Sequence, residues 1–337
     1  MTRSAWWQRG MPQTQTAYVA IAFAVLIIII GILAPVFLTP RNLLNISRNF
    51  SFIALMSLGE TLVIISGGID LSVGSICALS AVMTMMLLRF WSATATAQVP
   101  GASIALAVLL ALALAAMIGL VNGVLIARIR LSPFVTTLGM LSVARGMTYV
   151  VTQGRAQYPV GPDVAAYTRF ANGAVFGLPT PLVYLLVLAV LMALALRHLV
   201  WGRHLYAVGG NARAAALTGV HVPRVVLSVY ALSGLAAGFS GVLIGGWLGA
   251  APANLATGYE LQVIAAAVIG GANLAGGVGG AAGAVIGAAL IEVIRNGFVL
   301  IGANSYWEEV FVGIIIIIAV LVDQLRTRRV FRAPQAE

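Results

Sequence analysis

The sequence predicts an all-α, polytopic membrane protein of about ten transmembrane helices. Three observations carry that expectation. The 337 residues are 61% hydrophobic and only 8% charged, with a mean hydropathy of +1.03. A soluble domain carries about 25% charged residues, and so few charges cannot cover a water-facing surface. Apolar runs that suit a hydrocarbon core, roughly 20 residues for about 30 Å, recur along the chain. Finally, all 19 basic residues are Arg, and they concentrate in alternate connecting segments.

Ten spans follow from the runs: Ala17–Phe37, Phe50–Ser66, Ser75–Phe90, Ser103–Ala127, Pro133–Val151, Leu182–Leu199, Val225–Trp247, Tyr259–Gly271, Gly280–Ile301 and Val310–Val322. The second, eighth and tenth are short. Arg3 and Arg9 before the first run mimic a signal peptide, but the run is too long for an h-region and many spans follow it. It reads as a retained first helix.

Arginine placement sets the orientation. With the N-terminus inside, Arg3, Arg9, Arg128, Arg130, Arg197, Arg203, Arg213, Arg224, Arg326, Arg328, Arg329 and Arg332 are cytoplasmic, whereas Arg41, Arg48, Arg89, Arg155 and Arg169 are external. Both termini are therefore expected inside. The domain organisation is a cytoplasmic segment over 1–16, one transmembrane domain over 17–325 and a cytoplasmic tail over 326–337. The net charge of +10 is a topology signal and does not point to nucleic acid.

Several chemistries are excluded. Without Lys there is no P-loop lysine and no Schiff base. Cys77 is alone, and His198, His204 and His221 lack metal-ligand spacing, so neither a metal site nor a cofactor is expected. Gly238-Phe239-Ser240-Gly241 matches the GxSG of intramembrane serine proteases, but the three His fall in one polar stretch, with His198 at the very edge of the sixth span, and none is placed to serve as its base. No catalytic residue is predicted.

Two polar stretches are long, Trp201–Arg224 on the cytoplasmic side and Thr152–Pro181 outside. Within the first, Asn211 can cap a short helix over Ala212–Thr218, with Gly219 and Pro223 as its stop. Two turns are unstable alone in water, so either the rest of the chain or another protein must hold them.

The stretch GGIDLSVG, Gly67–Gly74, places a carboxylate among glycines between two spans. Asp70 is positioned to cap the start of the third span, accepting N–H groups that have no partner within the helix. The alternative is a role for its charge, as a pair with Arg145 or as a gate. An echo, Gly270-Gly271-Ala272-Asn273-Leu274, follows the eighth span, and interrupted helices in corresponding halves are a transporter feature. Glu60, Arg145, Glu292 and Arg295 also fall within spans, where polar groups are costly; Glu292 and Arg295, three apart, can pair locally. Gly279, Gly283 and Gly287 recur every four residues, a spacing that lets helices approach closely.

GGIDLSVG, SPFVTTLGMLSVARG, YAVGGNARAAALTGV, TGYELQVIAAAVIGGANLAGG and RNGFVLIG occur in this order. Together, over about Ala17–Val322, they make the chain resemble the permease subunits of bacterial ABC importers for monosaccharides, the ribose permease family above all. The resemblance implies a type II-like permease of about ten helices in the bacterial inner membrane, working as two copies in lipid. It also implies a cytoplasmic ATPase and a periplasmic sugar-binding protein that delivers substrate. The loop matching Ala207–Val220 corresponds to the segment that docks the ATPase, which makes Gly209, Asn211, Arg213, Ala214, Ala215 and Gly219 the coupling residues. One departure is the adjacent pair Glu308 and Glu309, which makes the outer mouth more acidic than the resemblance implies.

Transport needs weak contacts along its path, and Asp70, Asn273, Tyr259 and Gln262 are the candidate pathway or gate residues. An ion-coupled secondary transporter of a small polar solute is the alternative, because broken helices and buried carboxylates suit it as well. It has no need of a capped cytoplasmic docking helix.

Overall fold

The computed structural model describes residues 13–92 and 101–302, together with 307, 310, 313, 314 and 317. Eleven helices appear among them: α1 (Gln13–Leu33), α2 (Pro40–Ile65), α3 (Val73–Ser92), α4 (Ala102–Ala127), α5 (Pro133–Thr152), α6 (Val164–Asn172), α7 (Thr180–His198), α8 (Val200–Leu217), α9 (Val222–Leu248), α10 (Tyr259–Ile269) and α11 (Ala281–Leu300). A 3₁₀ turn over Pro35–Leu38 links α1 to α2, and a small hairpin, β1 (Ala174–Val175) with β2 (Leu178–Pro179), links α6 to α7.

Seven helices are long and apolar enough to cross a membrane: α2, α3, α4, α5, α7, α9 and α11. Shorter apolar helical stretches lie at Phe23–Leu33 in α1 and along α10. Nine of the ten expected spans thus have a helix in their place. The tenth, with Glu308 and Glu309 just before it, lies largely outside the described residues; of it, residues 310, 313, 314 and 317 are helical. The second span is longer than expected because Thr39 and Pro40 start α2 ten residues early: the Thr39 hydroxyl accepts the Asn42 N–H, and Pro40 occupies the first turn.

Helix α9 lies at the centre, against α2, α3, α4 and α6. Small residues set its close approaches. A side chain on Gly119 would strike the Tyr230 carbonyl, and one on Gly234 would strike that of Ala115, so α4 and α9 run antiparallel with their backbones nearly touching. Ser240 donates to the Phe52 carbonyl at 2.9 Å, so the serine of the GxSG stretch serves helix packing between α9 and α2. These pairings bring the end of α2, the end of α4, the end of α7, all of α8 and the start of α9 to one pole of the bundle. Arg128, Arg197, Arg203, Arg213 and Arg224 share it.

The opposite pole is capped by the 152–181 segment. Read from sequence as a polar connection, it holds α6 and the hairpin instead. Tyr167 of α6 is fully buried, with its hydroxyl donating to the Val242 carbonyl at 2.6 Å. Gln157 and Ala251 exchange two backbone hydrogen bonds, 3.0 and 2.8 Å long, and join this cap to the α9–α10 connection. Near the start of α2, Asn42 and Asn296 of α11 exchange side-chain amide bonds of 2.9 and 3.0 Å. Paired amides between apolar helices satisfy each other away from water.

Candidate functional site: two helix breaks and a kinked helix

The first break starts where α2 ends. Gly67 takes φ +86°, a left-handed conformation that glycine adopts without a Cβ clash. Its N–H donates to the Ile64 carbonyl and that of Gly68 to the Val63 carbonyl, closing the helix end. The chain then turns back alongside α2, and the Asp70 N–H reaches Glu60 Oε1 at 3.1 Å.

Asp70 is fully buried. Its Oδ1 accepts the Ser72 N–H at 3.0 Å and the Ser72 hydroxyl at 2.5 Å, while Oδ2 accepts the Ser233 hydroxyl of α9 at 3.0 Å. Asn122 of α4 donates to Ser72 Oγ at 3.0 Å. The Ile69 carbonyl accepts from Thr137 of α5 at 3.2 Å and from Tyr230 of α9 at 3.4 Å. The carboxylate therefore takes the N–H just ahead of α3, one position earlier than a cap on its first turn, and its second oxygen ties the break to α9.

Arg145 is no partner of Asp70. Its Nη1 donates to the Ala253 and Leu255 carbonyls, at 3.2 and 2.7 Å, and so holds the α9–α10 connection against α5. Glu60 Oε2 and Asn122 Oδ1 are buried and have no hydrogen-bond partner among the described residues.

The second break repeats the backbone solution shifted by one residue. Gly271, at φ +100°, donates to the Val268 carbonyl, and Ala272 to that of Ala267. In the sequence echo Gly67 aligns with Gly270, but the left-handed glycine is Gly271. Asn273 then accepts the Ala275 N–H through Oδ1 at 2.7 Å, the same two-residue reach as Asp70 to Ser72. Gly283 and Gly287 of α11 press on the backbones of Gly270 and Ala266 of α10, whereas Gly279, expected on the same helix face, precedes α11.

Of the other candidate pathway residues, Tyr259 and Gln262 lie one turn apart on α10, half-buried like Asn273. On α11, Arg295 sits 3.9 Å from Glu292. Asp70, Asn273, Tyr259 and Gln262 do not share one hydrogen-bonded cluster.

Helix α8 has two halves. Asn211 leaves helical geometry, at φ −161° and ψ 100°, and its Oδ1 accepts the Ala214 N–H at 3.0 Å, which makes it the cap of the second half. Gly219, at φ +90°, ends that half; its N–H and that of Val220 donate to the Ala216 and Ala215 carbonyls. The expected short helix is present, and Val200–Gly210 forms a further helical half ahead of it. Asn211, Arg213, Ala214 and Gly219 are exposed. Ala215 is buried and Gly209 packs inward, so these two do not share that exposed surface. Leu217, absent from the sequence-derived set, is 90% exposed; a leucine after Ala-Ala-Ala carries no signal of its own.

Comparison with known proteins follows the same lines. The family described as "Branched-chain amino acid transport system / permease component" matches residues 42–320. The chain is 39% identical to Ribose import permease protein RbsC of Escherichia coli over 308 residues, 90% of this chain and 92% of that one. It is 38% identical to Probable ABC transporter permease protein y4mJ of Sinorhizobium fredii, covering 96% and 93% of the two chains. Galactose/methyl galactoside import permease protein MglC of Salmonella typhimurium is 36% identical, over 91% and 94%. No solved structure matches. With most of its length matched and with membrane-length helices, this chain belongs to the family of transport-system permease components, whose role is transport and not enzymatic.

Proposed function

We propose that this chain is the translocating subunit of an ATP-driven monosaccharide importer of the bacterial inner membrane, taking a ribose-like sugar from a periplasmic binding protein. The observation that carries this reading is the second half of α8. A helix of about two turns, capped at both ends, stands exposed at the arginine-rich pole with Leu217 outermost. Such a helix has little stability of its own in water, and a bare leucine beside Arg213 suits the surface of a cytoplasmic ATPase. The arginine-rich pole is the cytoplasmic one by the positive-inside rule, which supports both termini being inside. An ion-coupled secondary transporter has no use for such a docking element, and membership of the permease family does not favour it.

The remaining partners follow from the exposed surfaces. Helices α4 and α7 expose apolar side chains such as Leu109, Leu110, Val187 and Leu191, which supports contact with lipid. Helix α5 exposes apolar side chains too, such as Val143 and Val150, but it also carries Gly139 and Gly146 with open space beyond them and Ser142 exposed between. Small residues on an outer face suit close approach of another helix, and we assign this face to the second permease copy. Asp70, Asn273, Tyr259 and Gln262 retain their assignment to the pathway and its gates; the enclosed Asp70 acts through the first break.

The test is uptake by proteoliposomes holding the permease, its co-purified ATPase and its binding protein. Uptake should require ATP and persist when the proton and sodium gradients are collapsed. Uptake that continues without ATP and stops with the gradients would overturn the proposal.

A further inference from the structure

Three segments far apart in sequence meet at the carbonyl oxygen of Ile65, the last residue of α2. The Gly277 N–H, from the second break, donates to that oxygen at 2.9 Å. Gly209, from the first half of α8, lies so close that a Cβ on it would collide with the same oxygen and come within 2.5 Å of Gly277 N. Gly276 is confined too, if less tightly: a Cβ there would lie 2.7 Å from the Gly209 carbonyl oxygen and 3.1 Å from the Gly67 Cα. A second tie runs alongside, because Tyr206 of α8 donates its hydroxyl to the Gly279 carbonyl at 2.8 Å.

The first break, the second break and α8 are thus locked backbone to backbone. Glycine makes this possible, since any other residue at 209 would push the three apart. The lock is also asymmetric within α8. The half before Asn211 touches the breaks, the half after it is exposed, and the single non-helical residue lies between them.

We infer that Gly209 and Tyr206 are positioning residues that transmit movement of the exposed half of α8 to both helix breaks at once, and that Gly209 takes no part in binding the ATPase. This rests on the proposed docking role of α8. A push on the exposed half shifts the first half, which carries Ile65 and the 276–279 loop with it; the N-terminal end of α3 and that of α11 then move as one unit. Packed backbones transmit such displacements because they have no slack to absorb them.

The experiment uses the assembled complex with its co-purified ATPase in proteoliposomes, and it requires no knowledge of the sugar. Ala275, exposed in the second break, is replaced by cysteine in a Cys77→Ala background. Its labelling by an impermeant maleimide is compared with no nucleotide and with ATP plus vanadate. In the otherwise unaltered complex the rate should change several-fold on trapping. With Gly209→Ala the ATPase should co-purify in normal ratio and hydrolyse ATP, while the nucleotide-dependent change at 275 disappears. Gly210→Ala, whose added methyl meets open space, should keep the change. Tyr206→Phe removes only a hydroxyl and should at least halve it, and this variant decides the matter if Gly209→Ala fails to accumulate. Loss of ATPase binding in Gly209→Ala, or an unaltered response at 275 in Gly209→Ala or Tyr206→Phe, would overturn the inference. If the ATPase does not bind the unaltered permease at all, it is the docking role of α8 that fails.

Discussion

Asp70 and Ser233 lie 163 positions apart and meet through a 3.0 Å hydrogen bond inside the bundle. The bond fixes the first helix break to α9, the helix that the rest of the fold packs around. Asp70→Asn keeps Oδ1 for the Ser72 N–H and presents an amide to Ser233, whose hydroxyl can turn to accept it. Asp70→Ala leaves the Ser72 N–H and two hydroxyls without their acceptor, at a cost of about 1–3 kcal/mol. Thermal unfolding of the purified permease should therefore show Asp70→Asn near the parent and Asp70→Ala several degrees lower, with transport following the same order. Equal loss in both variants would assign the charge itself a function.

Glu60 offers a second test beside it. Oε1 accepts the Asp70 N–H, while Oε2 is buried with no partner among the described residues. Glu60→Gln keeps the acceptor and places an amide donor at the orphan position. The melting temperature should hold or rise, whereas Glu60→Leu, which strips the Asp70 N–H of its acceptor, should lower it.

The exposed half of α8 is tested by its caps. Asn211→Leu removes a cap worth about 1 kcal/mol, and Gly219→Val forces a β-branched residue to φ +90°. Both variants should insert normally, bind the ATPase at least tenfold more weakly in pull-down, and lose uptake. Leu217→Asp should do the same without altering the helix. Normal uptake in all three would reduce this segment to a connector.

Glycines with and without room should separate cleanly. A side chain on Gly283 runs into the Gly270 backbone, so Gly283→Val should cost several kcal/mol through forced repacking and reduce the folded yield. Gly146 has open space within its own chain, so Gly146→Ala should leave the fold of a single copy undisturbed. Gly146→Trp should leave a folded permease that elutes at half the mass, if α5 faces the second copy.

Orientation is checked by single cysteines in a Cys77→Ala background. Cysteines at Arg128 and Arg213 should resist an impermeant thiol reagent in intact spheroplasts, while cysteines at Tyr158 and Phe176, both well exposed at the other pole, should react. The reversed pattern would invert the topology and remove α8 from the cytoplasm.

Sequence alone determined what depends on composition and on reach of a few residues. The apolar runs located nine of the described helices, because a hydrocarbon core imposes its length on any segment that crosses it. Asn211, Gly219 and the Asp70/Asn273 echo were legible because their bonds span two or three positions, so the residue types in a short window suffice. The first half of α8 and helix α6 were not: neither is apolar enough to read as a span, and their neighbours in space make them helices. Tertiary structure alone decided the partners of Arg145, Asn42, Asp70 and Gly209. Arg145 holds carbonyls 108 and 110 positions away, and Asn42 pairs with an amide 254 positions away. A buried polar group must find a partner, but which one it finds depends on how helices pack, and for glycines that pack backbone to backbone there is no side chain in the sequence to announce the contact.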